Sequence, residues 1–205
     1  MDINTVKQNL TDKGYSVAHF KTRAEATDYI AKSLSQKTIG FGGSITLEEM
    51  GLYERLSENN TVLWHWRVGE NETGGDILIK ARQAQVYMTS VNAMSENGEI
   101  VNIDGTGNRV SAMIFGHEKV YFVLSTDKIT PDCESAISRA RNVAAPLNAK
   151  RLNKATPCVK GGRCFDCKAP QRICRALSVL WEKPTGCDYE IVLIDEKSEI
   201  GRAHV

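Results

Sequence analysis

The sequence predicts an α/β protein whose open, mostly parallel sheet carries helices on both faces. Three observations lead to this class. Segments with helical and strand-like hydrophobic spacing alternate along nearly the whole chain, which is the pattern of parallel strands joined by crossover helices. The 205 residues suffice for one ordinary domain with room for a small appendage. Hydrophobic residues make up 41% of the chain and charged residues 25%, which is typical of a globular protein.

Seven helices are predicted from hydrophobic spacing and capping residues. Thr22 fits the N-cap of the second helix, and Thr46 and Glu49 have capping-box spacing at the start of the third. Pro146 is expected to stop the sixth helix, because the residue before a proline avoids the helical conformation. In chain order, the predicted helices are residues 2–13, 22–34, 46–57, 76–84, 109–115, 132–145 and 173–181.

Seven strands are predicted where short apolar runs stand between these helices. In chain order, they are residues 15–20, 38–41, 61–66, 86–91, 99–103, 119–124 and 189–195. In open α/β sheets, ligands bind at the carboxyl ends of the strands, where loops lead into helices. The loops that follow the predicted strands are therefore the expected positions of a ligand site.

Charge and hydropathy exclude several classes of partner. A formal net charge of +1 argues against broad electrostatic binding to nucleic acid or to an anionic membrane. The longest uncharged run, residues 83–95, is well short of the roughly 20 apolar residues that a membrane span needs. The acidic, polar start of the chain lacks the features of a secretory signal, so we expect a cytoplasmic protein.

The composition changes after Leu152, where Cys, Gly, Pro and Arg become frequent. We therefore divide the chain into an α/β domain over residues 1–152, a Cys-rich metal-binding segment over 153–187, and a final strand of the first domain over 188–199. Residues 200–205 match the translation of a common sequencing adapter. We expect the native sequence to differ after about residue 199, and we assign no role to His204.

A glycine-rich loop stands between the strand at 38–41 and the next helix, and its core is Gly42-Gly43-Ser44. Glycines let backbone N–H groups approach a ligand closely, and a helix N-terminus favours anions. The loop matches neither the dinucleotide fingerprint nor a Walker loop. Two interpretations stay open, a tight strand-to-helix turn and a cradle for a phosphate or carboxylate.

A polar loop follows the strand at 99–103, and a further polar stretch that begins at Asn92 precedes this strand. The Arg109 guanidinium is suited to gripping a carboxylate or phosphate, although it could instead pair with a nearby acid. Glu99 and Asp104 are candidate acid/base or nucleophilic groups, but Glu99 could equally be a solvated strand residue and Asp104-Gly105 a simple turn. The candidate ligand-binding residues here are Asn92, Asp104, Gly105, Thr106, Gly107, Asn108 and Arg109.

Four cysteines, Cys158, Cys164, Cys167 and Cys174, form the sharpest chemical pattern in the chain. Eight basic residues and one acid lie between positions 150 and 175, a setting that lowers thiol pKa and stabilises thiolate ligands. Zinc ribbons usually supply two close cysteine pairs, so the irregular spacing favours a [4Fe–4S] cluster, with Zn²⁺ as the alternative. Reduced surface thiols are the third interpretation.

Together these segments resemble the LUD-domain family of lactate-utilisation proteins. The resemblance runs from about residue 1 to residue 195. It rests on residues 42–47 (GGSITL), 50–52 (MGL), 89–93 (TSVNA), 98–109 (GEIVNIDGTGNR), 144–149 (AAPLNA) and 157–174 (PCVKGGRCFDCKAPQRIC). One departure lies at residues 124–129, where the family tends to carry a Gly and an Asn before the lysine. Ser125 and Asp127 stand there instead and put a ligand contact in that stretch in doubt.

The resemblance implies a fold similar to those of sugar-phosphate isomerases and coenzyme A transferases. It implies a redox-associated subunit that binds a small anionic metabolite and works with other iron–sulfur subunits of a lactate-oxidising system. One alternative is a transferase or isomerase acting on a coenzyme A thioester or sugar phosphate, with a structural metal. The other is a non-catalytic ligand-binding or assembly module.

Overall fold

The structure is a computed structural model that describes residues 1–197, so the tail 200–205 and His204 lie outside the described residues. The α-helices are α1 (Ile3–Asp12), α2 (Arg23–Ser33), α3 (Ile45–Glu49), α4 (Leu52–Ser57), α5 (Gly74–Ala81), α6 (Asn108–Ala112), α7 (Cys133–Arg139), α8 (Ala145–Arg151) and α9 (Pro157–Gly161). The strands are β1 (Ser16–Phe20), β2 (Thr38–Phe41), β3 (Thr61–Trp64), β4 (Val86–Thr89), β5 (Ala93–Ser95), β6 (Ile100–Asp104), β7 (Lys119–Ser125), β8 (Ile129–Thr130), β9 (Ala176–Leu180) and β10 (Asp188–Ile194).

Two sheets organise these elements. The main sheet has six parallel strands in the order β1-β10-β7-β4-β2-β3. A smaller sheet has the order β8-β5-β6-β9, in which β5 pairs parallel with β8 and β6 pairs antiparallel with both of its neighbours. The predicted parallel α/β sheet is confirmed, whereas the smaller sheet was not anticipated.

Helices cover both faces of the main sheet. Neighbouring residues of a strand point to opposite faces, so Tyr121 and Phe122 of β7 belong to different core clusters. Leu10 of α1 packs in the cluster that contains Phe122. Ile30 of α2 and Leu52 of α4 pack in the cluster that contains Tyr121. The core clusters cover the two faces of the sheet, and loops lie at its carboxyl edge.

The predicted helix over residues 46–57 begins earlier and is divided. The Ser44 hydroxyl accepts a hydrogen bond from the backbone N–H of Leu47, so Ser44 is the N-cap and Thr46 is not. Gly51 has a φ of 61°, a left-handed conformation that suits glycine and separates α3 from α4. Because Thr46 is not the N-cap, its side-chain hydroxyl is available for other hydrogen bonds.

Pro146 does not stop the helix that precedes it, contrary to expectation. A π-helical turn over Ala140–Ala144 joins α7 to α8. Pro146 lies in the first turn of α8, where a missing backbone N–H is tolerated. The chain therefore continues as helix to Arg151, and α8 reaches the carboxyl edge of the sheet.

The predicted helix over residues 173–181 is also wrong, because strand β9 occupies that stretch. Leu180 pairs opposite Ile100 of β6, and Ala176 pairs opposite Asp104. Apolar residues in this stretch fit helical spacing, but an available edge of β6 decides its conformation. Strand β9 lies inside the segment 153–187 and ties that segment to the rest of the fold.

Within residues 1–197, no helix combines the length and the apolar character that crossing a bilayer would require.

Candidate functional site

A cleft of about 540 Å³ opens where the strands of the main sheet end. The glycine loop forms one wall and the polar loop another, so the structure brings these two predicted segments together. The predicted residues that line the cleft are Gly43, Ser44, Asn92, Asp104, Gly105, Thr106, Asn108 and Arg109. Of the predicted catalytic and ligand-binding residues, Gly42, Glu99 and Gly107 are not part of this lining.

Gly42 serves packing rather than ligand contact. Its N–H donates to the Met88 carbonyl oxygen at 2.9 Å, so this donor is already used. A Cβ at Gly42 would come within 2.7 Å of the Thr89 hydroxyl, which explains the need for glycine there. Gly43 does face the cleft and lies close to the His65 ring. Burial lowers the pKa of His65, which favours the neutral imidazole.

Asp104 organises the polar loop through its carboxylate. One oxygen accepts hydrogen bonds from the N–H groups of Thr106 and Gly107, both at 2.9 Å. The other accepts from Arg109 at 3.0 Å and from Val110 at 3.3 Å. Four backbone N–H donors thus satisfy both oxygens of this carboxylate. We therefore expect Asp104 to position the loop around a ligand, which leaves its predicted catalytic role as a hypothesis.

Two arginines converge on Asn92. The Arg109 guanidinium donates to the Asn92 side-chain oxygen at 3.4 Å and to the Ile103 carbonyl at 2.5 Å. The Arg139 guanidinium of α7 donates to the Asn92 carbonyl oxygen at 2.6 Å. Both arginine side chains are 14% exposed. Each guanidinium has five N–H donors, so both retain donors for a ligand.

Glu99 is not part of the cleft lining and contacts Lys13, the residue that follows α1. Its carboxylate forms an ion pair with Lys13 at 2.9 Å and accepts a hydrogen bond from the Ser95 hydroxyl. Burial alone would raise the pKa of Glu99, but these two hydrogen bonds together hold it below its ordinary value. Glu99 is thus paired in a structural contact, and its predicted catalytic role finds no support in its position.

Lys128 also lines the cleft, although it is not among the site residues predicted from the sequence. It ends the 3₁₀ turn Thr126–Lys128 that follows β7, and it is 8% exposed. Its amine donates hydrogen bonds to the Ser90 hydroxyl at 2.9 Å and to the Thr46 hydroxyl at 3.1 Å. Burial, followed by the charge of Arg139, lowers the pKa of Lys128 to about 8. The sequence feature that could have identified Lys128 is its position in the loop directly after a central strand.

The outer part of the cleft is basic and partly aromatic. Arg151 of α8 lies over the Trp66 ring at 5.2 Å from its centroid, a cation–π geometry. Of the described side chains that line the cleft, seven are lysines or arginines and one, Asp104, is acidic. The seven are Arg109, Lys128, Arg139, Arg151, Lys154, Arg172 and Arg175. Such a lining attracts anions.

The four predicted cysteines line a second, small cavity of about 20 Å³, which shares the lining residues Ala145, Arg172 and Ile173 with the cleft. The Sγ atom of Cys164 accepts two hydrogen bonds. The backbone N–H of Asp166 donates at 3.3 Å and the Arg141 guanidinium at 3.8 Å. Hydrogen bonds of this kind stabilise thiolates and tune metal centres. Among residues 1–197, however, no three His, Cys, Asp or Glu side chains are grouped closely enough to hold a metal ion.

Arg172 connects the cysteine cavity with the cleft, because its side chain lines both. Its guanidinium donates to the carbonyl oxygens of Cys167 and Cys174, each at 2.8 Å. Interaction with the Cys174 side chain raises the pKa of Arg172. One side chain therefore fixes the loop that carries two of the cysteines and contributes positive charge to the cleft.

The chain is similar to one protein family and to two solved structures described below. The LUD domain family matches residues 3–194. The crystal structure of a DUF162 family protein from Deinococcus radiodurans is similar with a TM-score of 0.52 and 14% identity, over 94% of this chain and 95% of that chain. The structure of eIF2B delta from Chaetomium thermophilum has a TM-score of 0.36 and 16% identity, over 66% of this chain and 55% of that chain. No curated protein shows significant similarity.

Proposed function

The chain belongs to the LUD domain family, which is associated with lactate utilisation, and from this premise we propose that it binds a small anionic metabolite in the cleft. The ligand class is a carboxylate or a phosphate. In this proposal the protein is a cytoplasmic, redox-associated subunit of a lactate-oxidising system.

The buried amine of Lys128 is the observation that carries the proposal. A buried ammonium is normally paired with a carboxylate, because an unpaired buried charge is costly. Within the described part of the chain, Lys128 forms no ion pair and contacts two hydroxyls instead. An anionic ligand would supply the missing negative charge, and the glycine loop and polar loop would surround it.

Binding measurements on the complete protein test this proposal. Thermal shift and calorimetry with lactate, pyruvate, inorganic phosphate, a sugar phosphate and coenzyme A are expected to reveal binding of at least one of them. Lys128→Met removes the buried charge and should weaken that binding by about 10- to 100-fold. Lys168→Met removes an exposed lysine and serves as the matched control. Equal binding by the Lys128→Met protein would refute the assignment.

We also propose that Cys158, Cys164, Cys167 and Cys174 hold a [4Fe–4S] cluster, with Zn²⁺ as the alternative. The shared cavity, the N–H donors at Cys164 and the surrounding arginines support this set. When bound, a cluster would supply one-electron transfer next to the cleft. Coordination would require the cysteine loop to close further around its ligand, since the described side chains are not yet grouped for a metal ion.

Metal analysis of protein prepared without oxygen tests the cysteine set. A cluster gives brown protein with iron and sulfide in equal amounts, whereas a colourless protein with one zinc supports the alternative. Cys164→Ser should lose the metal, and Cys133→Ser, which alters a cysteine in α7, should keep it. Protein that binds neither metal, or that loses it equally in both variants, would contradict the proposal.

A further inference from the structure

The surroundings of Lys128 suit a nucleophile as well as a binding group. Its pKa of about 8 leaves roughly a tenth of the amine neutral at pH 7. The charged neighbours that contribute are Arg139 and Arg109, which lower this pKa, and Asp127 and Glu49, which oppose them. Burial beside other cations is the setting in which enzymes activate a lysine for attack on a carbonyl.

Two hydroxyl groups next to this amine are positioned to transfer protons to and from it. Ser90 and Thr46 accept hydrogen bonds from Lys128 at 2.9 and 3.1 Å. When the ammonium loses a proton, either hydroxyl can reverse its role and donate to the nitrogen, because a hydroxyl both donates and accepts. The same groups can pass a proton to an oxygen that forms at the carbon under attack.

The arginines next to Lys128 indicate that a substrate with a carbonyl group would also carry a carboxylate. Arg109 and Arg139 both contact Asn92, and their charges reach Lys128. A guanidinium binds a carboxylate in a fixed, bidentate geometry. A carbonyl carbon with a neighbouring carboxylate would place its two functional groups against the lysine and the arginines.

We propose that Lys128 forms an imine with the keto carbon of a small 2-oxo carboxylate bound in the cleft. This inference rests on the proposed anion site and adds a covalent step to it. The amine lone pair forms a C–N bond while the carbonyl π electrons move to oxygen, which takes up a proton. The resulting carbinolamine loses its oxygen as water, leaving a C=N bond. Overall, one ammonium and one ketone give one iminium ion and one water, with no oxidant consumed.

Reductive trapping tests the covalent step directly. The full chain is incubated at pH 7 with pyruvate and sodium cyanoborohydride, and its peptides are analysed by mass spectrometry. We expect a reduced pyruvate adduct on Lys128, formed about 100-fold faster than on the exposed Lys32 or Lys168, because the neutral fraction of an amine at this pH rises tenfold per unit of lowered pKa. The rate should saturate with pyruvate concentration, as expected for a bound substrate.

Two controls separate this inference from the proposed anion site. Lactate carries the carboxylate without the carbonyl, so an excess of lactate should slow trapping at Lys128 and leave the exposed lysines unchanged. Lys128→Arg retains the positive charge but should give no adduct at position 128. If pyruvate binds and Lys128 is trapped no faster than Lys32, the imine is refuted and the anion site stands. If pyruvate does not bind, the imine is refuted; if none of lactate, pyruvate, phosphate, the sugar phosphate and coenzyme A binds, the anion site fails as well.

Discussion

The backbone of Gly105 lies directly against the carbonyl group of Ile173, and a Cβ at Gly105 would come within 2.8 Å of that oxygen. The contact joins the polar loop to the cysteine segment. A hydrogen bond from the Arg175 N–H to the Asp104 carbonyl oxygen, at 2.9 Å, supports the same junction. The wall of the cleft therefore depends on close approach of two backbones.

Gly105→Ala should separate these backbones. We expect a loss of about 1–3 kcal/mol in the free energy of unfolding, because the added methyl group meets backbone atoms that cannot rotate away. Gly75→Ala is the matched control: its Cβ would have ordinary contacts in α5, and alanine is the better helix former. Urea denaturation measures both, and an unchanged Gly105→Ala protein would contradict the assigned contact.

Lys128→Met should stabilise the ligand-free protein by about 1–3 kcal/mol at pH 7, because it removes a buried charge whose desolvation outweighs its electrostatic interactions with Asp127 and Glu49. Lys128 holds its proton less tightly in the folded protein, with a pKa of about 8, than at its ordinary value of 10.5. Its cost to stability is therefore fully present below pH 8 and is relieved as the pH rises towards 10.5. Urea denaturation of both proteins at pH 7 and pH 10 should show the difference shrink; a difference independent of pH would count against this account.

Arg172→Ala should loosen the cysteine loop, because the carbonyl oxygens of Cys167 and Cys174 lose their shared donor. We expect faster alkylation of these two thiols in metal-free protein, by about tenfold if opening of the loop becomes about 1.4 kcal/mol easier. Lys168→Ala removes a charge from an exposed position of the same loop and provides the control. Equal alkylation rates in the two variants would show that Arg172 does not hold the loop.

Glu99→Gln should lower stability by about 0.5–1.5 kcal/mol at neutral pH without changing ligand binding, since Glu99 pairs with Lys13 outside the cleft. The pKa of Glu99 is lowered in the folded protein. Its contribution is therefore present above the ordinary value of 4.5 and is lost as the pH falls through the folded pKa. Denaturation curves at pH 7 and pH 3 should differ between the two proteins only at pH 7. Weaker ligand binding by Glu99→Gln would instead place this carboxylate in the site.

The alternating pattern of the chain was sufficient to predict the main sheet, because buried parallel strands are continuous apolar runs separated by amphipathic helices. The smaller sheet escaped prediction for a different reason. Strand β5 has only three residues, too few to show a period, and β9 reads as a helix until its pairing with β6 is known. Long-range pairing, which no local window contains, decides both elements.

The site was predictable where glycine and polar residues cluster in sequence, as in the polar loop. It was not predictable where single residues from distant elements meet. Lys128 and Arg139 belong to different elements, and each element contributes one cation to the cleft. No motif next to Arg139 in the sequence indicates that it is a site residue. Glu99 shows the converse case, since a carboxylate close in sequence to the polar loop can still lie outside the cleft and pair with another side chain, here Lys13.

The π-helical turn over Ala140–Ala144 sets the rotational phase of α8. Each residue of an α-helix advances about 100° around the axis, so deleting one residue from this turn would rotate α8 by about that angle relative to α7. Asn148 and Arg151 would leave the cleft, and the face with Ala149 would leave the cysteine cavity. A one-residue change in the length of a helix would thus alter the ligand site and the cysteine site together.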